Sequence, residues 1–297
     1  MVETEPGITL VIAGITLYTI EYIDLSSNNL LGTITQELVM GCLSLYFLKL
    51  SDNKLRGQIF PKSVDLPDLT LLYLDSNEFS SSIPKSLSTI PLALLDSSNN
   101  FLSDRIPTSM GNMTTLFQLS LSTIQFEGPI PKEICNLNDL SLLDLSKNKL
   151  CGSVPSCFNP SSIRHIYLND NQLEGELTYA FSNSSSLLLL DLGWNKFIGR
   201  IPQWIGNLSS LSIILLRCNH FEGTIPNEFC EMNKLSMIHL SSNFLLGQIP
   251  HCFGNITLEV AMGKFSTNNG VMDTSPSQTF TSYVDKIQLE RDYHIPL

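Results

Sequence analysis

A motif returns about every 24 residues from the start of the chain to about residue 250, and that period constrains the fold more than any other property. Its clearest copy is LSLLDLSKNKLCGSVP at 140–155, where Leu140, Leu143, Leu145, Asn148, Leu150, Gly152 and Val154 hold the recurring offsets. Alignment on the asparagine places Asn28, Asn53, Asn77, Asn100, Asn148, Asn171, Asn195, Asn219 and Asn243 in register, with Ile124 standing in the fifth copy. Ten coils result, nine of them with asparagine. Each unit of such an array touches only its neighbours, so 297 residues describe one elongated solenoid instead of one or two globular domains.

Within a coil, two apolar residues alternate before the asparagine, as Leu143 and Leu145 do, which is the period-two pattern of a strand with one buried face. A strand of about four residues is expected there. An apolar residue, a glycine and an apolar–proline pair follow, as in Phe197, Gly199, Ile201 and Pro202. Glycine permits turn angles that a side chain forbids, and proline lacks the N–H that a central strand needs. This part is expected to run extended or as polyproline, with irregular or short helical turns such as 203–211 closing the convex side.

The ladder asparagine has a physical task. Where the strand ends and the chain turns inward, backbone groups are buried, and a side-chain amide can both donate to them and accept from them. Ile124 cannot, so a local weak point or a bound water is expected at the fifth coil, since an unpaired buried polar group costs about 1–3 kcal/mol.

Phase also sorts the seven cysteines. Cys135 and Cys230 each lie 11 residues after a ladder position, and Cys157 and Cys252 each lie nine after the next one. A 22-residue spacing is nearly one period, so adjacent coils bring each pair within disulfide reach, and bridges Cys135–Cys157 and Cys230–Cys252 are expected. Such bridges imply an oxidising, extracytoplasmic compartment. Cys42, Cys151 and Cys218 have no mate in phase.

A net charge of −11 argues against nucleic acid as partner, because that binding neutralises phosphates with Lys and Arg. No run of 18 apolar residues occurs, so no membrane span is expected in this chain. The segment Ile8 to Ile20 is preceded by Glu3 and Glu5 and reads as a partial coil against the first repeat.

The pattern LxxLxLxxNxLxGxIP, with the Gly206–Asn207–Leu208 and Gly111–Asn112 that follow it, resembles the plant-specific class of leucine-rich repeats. Stretches such as GCLSLYFLKLSDNKLRGQI and GQIPHCFGNIT are similar to the ectodomains of plant receptor-like proteins, over about residues 20 to 258. The resemblance implies an α/β solenoid: a right-handed curved superhelix lined by a parallel concave β-sheet. It also implies perception of a peptide or protein ligand at the extracellular side of the plasma membrane, with signalling through a co-receptor or adaptor kinase. Residues 1–19 are then an N-terminal partial coil or cap, 20–258 the ten repeats, and 259–297 a degenerate coil around Phe265 and Asn268 or the start of a non-repeat island. The family's export signal, N-terminal cysteine cap and membrane helix have no counterpart in the sequence, so a truncated product is expected.

A ligand would use the row four residues before each ladder position: Asp24, Lys49, Tyr73, Asp96, Ser120, Asp144, Tyr167, Asp191, Leu215 and His239. Aspartate is the default there, so the departures carry more information. Lys49, Tyr73, Tyr167 and His239, with His165, Trp194 and Arg217 nearby, are residue types enriched at binding hot spots. The adjacent group His165, Tyr167, Trp194, Arg217 and His239 is the first choice. Sequons at Asn112, Asn183, Asn207 and Asn255 each fall 12 residues after a ladder position, which puts glycans on one side of the coil away from the strands. No kinase loop, phosphate-cradling glycine motif, nucleophile elbow or metal-ligand spacing is found, so neither an enzyme nor a cofactor is expected. A secreted inhibitor of a microbial wall-degrading enzyme, or a nonfunctional fragment, are the competing expectations.

Overall fold

The structure is a computed structural model and describes residues 19–61 and 64–254. The expected partial coil before Thr19, the sequon at Asn255 and the segment 259–297 lie outside the described residues. Ten strands of three residues, from Tyr22–Asp24 to Met237–His239, pair in parallel, each with the equivalent strand of the coils before and after. In the strand Leu142–Asp144 and its neighbour His165–Tyr167, Leu142 stands opposite His165, Leu143 opposite Ile166 and Asp144 opposite Tyr167. The middle residue of each strand points into the coil, and Leu48, Leu72, Leu95, Leu119, Ile166, Leu190 and Ile214 are fully buried.

A second ten-stranded parallel sheet runs along the solenoid beside the first, from Leu31–Gly32 to Phe244–Leu246. This corrects the expectation of an unpaired extended stretch after the asparagine. Proline does not prevent the pairing because it falls at or beyond the strand end: Pro129 closes the strand Gln125–Pro129, and Pro202 and Pro226 follow theirs. Glycine is favoured at that end, where eight coils have it and Ser81 (φ 81°) and Asp104 (φ 80°) take its place in the third and fourth. Gly199 has φ 75°, and an added Cβ would sit 2.9 Å from the Glu176 side chain of the preceding coil.

On the third side, prolines 84, 107, 131, 202 and 226 stand as N-caps of five-residue 3-10 helices such as Lys132–Asn136 and Gln203–Asn207. Their fixed φ suits that position, and the missing N–H is not needed there. The first coil differs. It carries an α-helix, Gln36–Gly41, capped by Thr35, whose Oγ accepts from the Leu38 N–H at 3.5 Å. Between the three sides runs one continuous apolar core, in which Phe79, Phe126 and Phe221 are fully buried and Phe197 nearly so.

The ladder asparagines bind coil to coil. Asn195 Nδ2 donates to the carbonyls of Leu168, Leu192 and Gly193, and its Oδ1 accepts from the Leu173 N–H at 2.9 Å. Disulfides fasten the 3-10 side, joining Cys135 to Cys157 (Cα–Cα 5.7 Å) and Cys230 to Cys252 (Cα–Cα 5.4 Å). Cys42, Cys151 and Cys218 carry free thiols.

Candidate functional site

The face of the first sheet is displayed by a turn that repeats in every coil. The residue just before the ladder position is left-handed throughout, with φ between 52° for Asn99 and 57° for Ser76 and Ser242, although none is glycine. Stacked backbone bonds hold this conformation: the Trp194 N–H donates to the Arg217 carbonyl at 2.9 Å, and the Lys147 N–H to the Asn169 carbonyl at 2.9 Å. Strand, turn and ladder thus fix a row of side chains at the sheet spacing of about 4.8 Å.

Most aspartates of the row serve the turn itself. Asp24, Asp96 and Asp144 each accept from the backbone N–H and the hydroxyl of the serine two residues on, at 2.6–3.0 Å. Asp191 accepts the Gly193 N–H at 2.9 Å. Burial, then the charge of Asp75, pushes the Asp96 carboxyl up to about 7. Burial also raises Asp144, and raises Asp191 to about 6 against the pull of the Gly193 N–H and Arg217.

The structure distributes the expected binding residues into two groups. In the second and third coils, Lys49 Nζ stands 5.5 Å from the centroid of the Tyr73 ring. Both are half-buried. Phe47 lies 5.6 Å from Tyr73 and stacks on Tyr22 at 4.1 Å and 9°. Tyr22 and Phe47 sit in the row two residues earlier, half of which is Leu or Ile (Leu71, Leu94, Leu142, Leu189 and Ile213), and they are not among the binding residues expected from the sequence. Aromatic identity in that row was the available signal.

The second group lies four to seven coils further on. Tyr167 is half-buried, and Trp194 is 53% exposed at its left-handed turn. Arg217 Nη1 meets His239 Nδ1 at 3.4 Å, and its stem crosses Gly193, where an added Cβ would come within 3.1 Å of the Arg217 Cγ. His165 differs from the rest. It is 4% exposed, packed between Leu142 and Leu189 of the adjacent strands, and offers little ring surface to a ligand. The two groups are separated by roughly 20 Å of sheet.

Ser241 Oγ stands 2.9 Å from His239 Nε2, a spacing that could suggest a nucleophile and its base. Arginine only donates, so His239 Nδ1 accepts from Arg217 and the ring proton sits on Nε2, facing Ser241. That tautomer cannot take the serine proton. Burial and then Arg217 both lower the His239 pKa, which disfavours the protonated ring. Among the described residues no group of His, Cys, Asp and Glu is placed to hold a metal ion, and no helix is long and apolar enough to cross a membrane.

The sequons Asn112 and Asn207 are the last residues of the 3-10 helices Thr108–Asn112 and Gln203–Asn207, and with Asn183 all three are exposed. None lies on a strand of either sheet.

The leucine-rich-repeat family model matches at residues 68–90, 139–160, 186–208, 210–232 and 234–256. Receptor-like protein 7 of Arabidopsis thaliana is 32% identical over 138 residues, which are 46% of this chain and 14% of that protein. Among solved structures, PEPR1–AtPEP1 is similar with a TM-score of 0.75 and 37% identity, covering 78% of this chain and 33% of that one. The plant peptide hormone receptor RGFR1 in complex with RGF2 has a TM-score of 0.68 and 30% identity, covering 80% and 42%. The chain therefore spans well under half the length of each of these relatives.

Proposed function

Because the chain is a leucine-rich-repeat solenoid homologous to Arabidopsis receptor-like proteins and to plant receptor ectodomains, we infer that it is a non-catalytic binding module. The face of its first sheet takes an extended peptide or protein ligand at the outer side of the plasma membrane. The ten repeats at 20–258 act as one module, with 1–19 as a partial coil or cap and 259–297 as a degenerate coil or the start of a non-repeat island. In the intact protein a co-receptor or adaptor kinase carries the signal onward. The observation that supports this reading is that two groups of residue types common at hot spots, Lys49–Tyr73 and Trp194–Arg217–His239, stand along the first sheet and the turns that follow its strands. The glycan sites at Asn112, Asn183 and Asn207 lie off that face and leave it open.

The test is selection of a phage-displayed random 12-mer library on the secreted, glycosylated chain. Enriched peptides should lose at least tenfold in affinity to a variant carrying Lys49→Ala, Tyr167→Ala, Trp194→Ala and His239→Ala. Equal enrichment and affinity on that variant would overturn the assignment of the face.

A further inference from the structure

Ser97 and Ile124 are two departures from the repeat that face each other across one coil boundary. The residue three before the ladder is leucine in every coil but the fourth, which has Ser97, and the ladder is asparagine in every coil but the fifth, which has Ile124. In the other coils the ladder Nδ2 reaches the backbone carbonyl of that leucine in the preceding coil, as Asn100 reaches Leu74 at 3.0 Å and Asn148 reaches Leu121 at 2.8 Å. The ladder Oδ1 takes an N–H from the same coil, as Asn100 takes that of Phe79 and Asn148 that of Phe126. Ile124 can make neither bond, so the Ser97 carbonyl and the Leu102 N–H lose the partners that symmetry would supply.

Two independent features mark the same boundary. Ser97 is fully buried and its hydroxyl has no hydrogen-bond partner. Elsewhere the ladder residue's own N–H donates to the carbonyl of the left-handed residue one coil on, as from Asn53 to Ser76 and from Asn148 to Asp170, both at 3.1 Å. Among the described residues the equivalent bond across this boundary, from Asn100 to Thr123, does not form. The opposite side of the boundary is tight: a Cβ on Gly111 would come within 2.4 Å of the Glu133 carbonyl oxygen. The disulfides fasten the fifth coil to the sixth and the ninth to the tenth, and neither crosses the fourth–fifth boundary.

We propose that the solenoid has a hinge between its fourth and fifth coils, pivoting on the Gly111–Glu133 contact and opening at the Ser97–Ile124 corner. The hinge divides the sheet face into a block with Lys49 and Tyr73 and a block with Tyr167, Trp194, Arg217 and His239. Stability in a repeat array is a sum of units and nearest-neighbour interfaces, so one weak interface creates a local opening that does not require either end to unfold.

Native-state hydrogen exchange on the whole chain tests this. The amides of Asn100 and Leu102 should exchange at least tenfold faster than those of Asn148 and Leu150, with protection recovering on both sides of the boundary. Protection that is uniform, or that only declines steadily toward Thr19, would contradict the hinge. Ile124→Asn should raise protection of Leu102 to that of its counterparts, whereas Ile124→Val should leave it low. If Ile124→Asn does not fold, the wild-type profile still decides, and Ser97→Ala supplies a second check: loss of an unpartnered hydroxyl should leave the fast exchange in place. Slow exchange in that variant would mean the hydroxyl, and not the missing ladder bond, loosens the corner.

Discussion

Asn148 Nδ2 lies 2.8 Å from the carbonyl oxygen of Leu121, one coil away, while its Oδ1 takes the Phe126 N–H of that same coil at 3.0 Å. One buried amide therefore closes two bonds across a boundary. Asn148→Ala should destabilise the chain by about 2–4 kcal/mol, because it leaves both backbone groups buried. Asn148→Asp should also destabilise it, since a carboxylate lacks the donor. The midpoint of urea unfolding, compared with that of Asn28→Ala at the exposed first coil, measures this; the Asn28 change should be the milder.

The bridge Cys135–Cys157 closes a 22-residue separation on the 3-10 side. The chain-entropy argument gives about 3 kcal/mol for a loop of that size. Replacing both cysteines by serine should lower the unfolding midpoint accordingly. Reduction of the wild type with dithiothreitol should give a similar loss, added to that from Cys230–Cys252.

Asp96 gives the fold a pH dependence. Its folded pKa, raised to about 7 by burial and by Asp75, exceeds that of an unfolded aspartate near 4. The folded state then binds the extra proton between those values, so the stability it contributes is present below about pH 4 and is lost as pH rises toward 7. Folding stability, followed by thermal melting, should fall across that window by on the order of 4 kcal/mol, about 1.4 kcal/mol for each of roughly three pKa units. Asp96→Asn keeps an oxygen for the Ser98 N–H and hydroxyl, now at 3.0 and 2.7 Å, and should flatten the decline.

How much of this was legible beforehand follows from what a side chain can signal. The period fixed the coils, and alternation placed Leu143 and Leu190 inside while Asp144 and Asp191 joined the strand face. The second sheet left no such trace, because its pairing is backbone to backbone and tolerates Lys, Gln, Phe or His at the same position: Lys149, Gln172, Phe101 and His220. The helix Gln36–Gly41 sits in the one coil that spans 25 residues between ladder asparagines, Asn28 and Asn53, a clue that spacing alone does not translate into helix type. The site was harder. Stacking of Tyr22 on Phe47 and burial of His165 between neighbouring strands depend on the partners at those positions, one coil away in space and about 24 residues away in sequence.

Trp194 offers a local check on the face. It is 53% exposed at φ 55°, so Trp194→Gly relieves a left-handed strain while removing the ring. Stability should hold or rise by up to about 1 kcal/mol, and affinity for a selected peptide should fall at least fivefold. A drop in stability with unchanged affinity would assign the ring to packing.

The most direct measurement is a hydrogen-exchange footprint of a selected peptide on the intact chain. Binding at the proposed face should slow exchange in the strands Leu71–Tyr73, Leu189–Asp191, Ile213–Leu215 and Met237–His239, and leave the 3-10 helices Lys132–Asn136 and Gln203–Asn207 unchanged. Protection confined to those helices or to the second sheet would contradict the account.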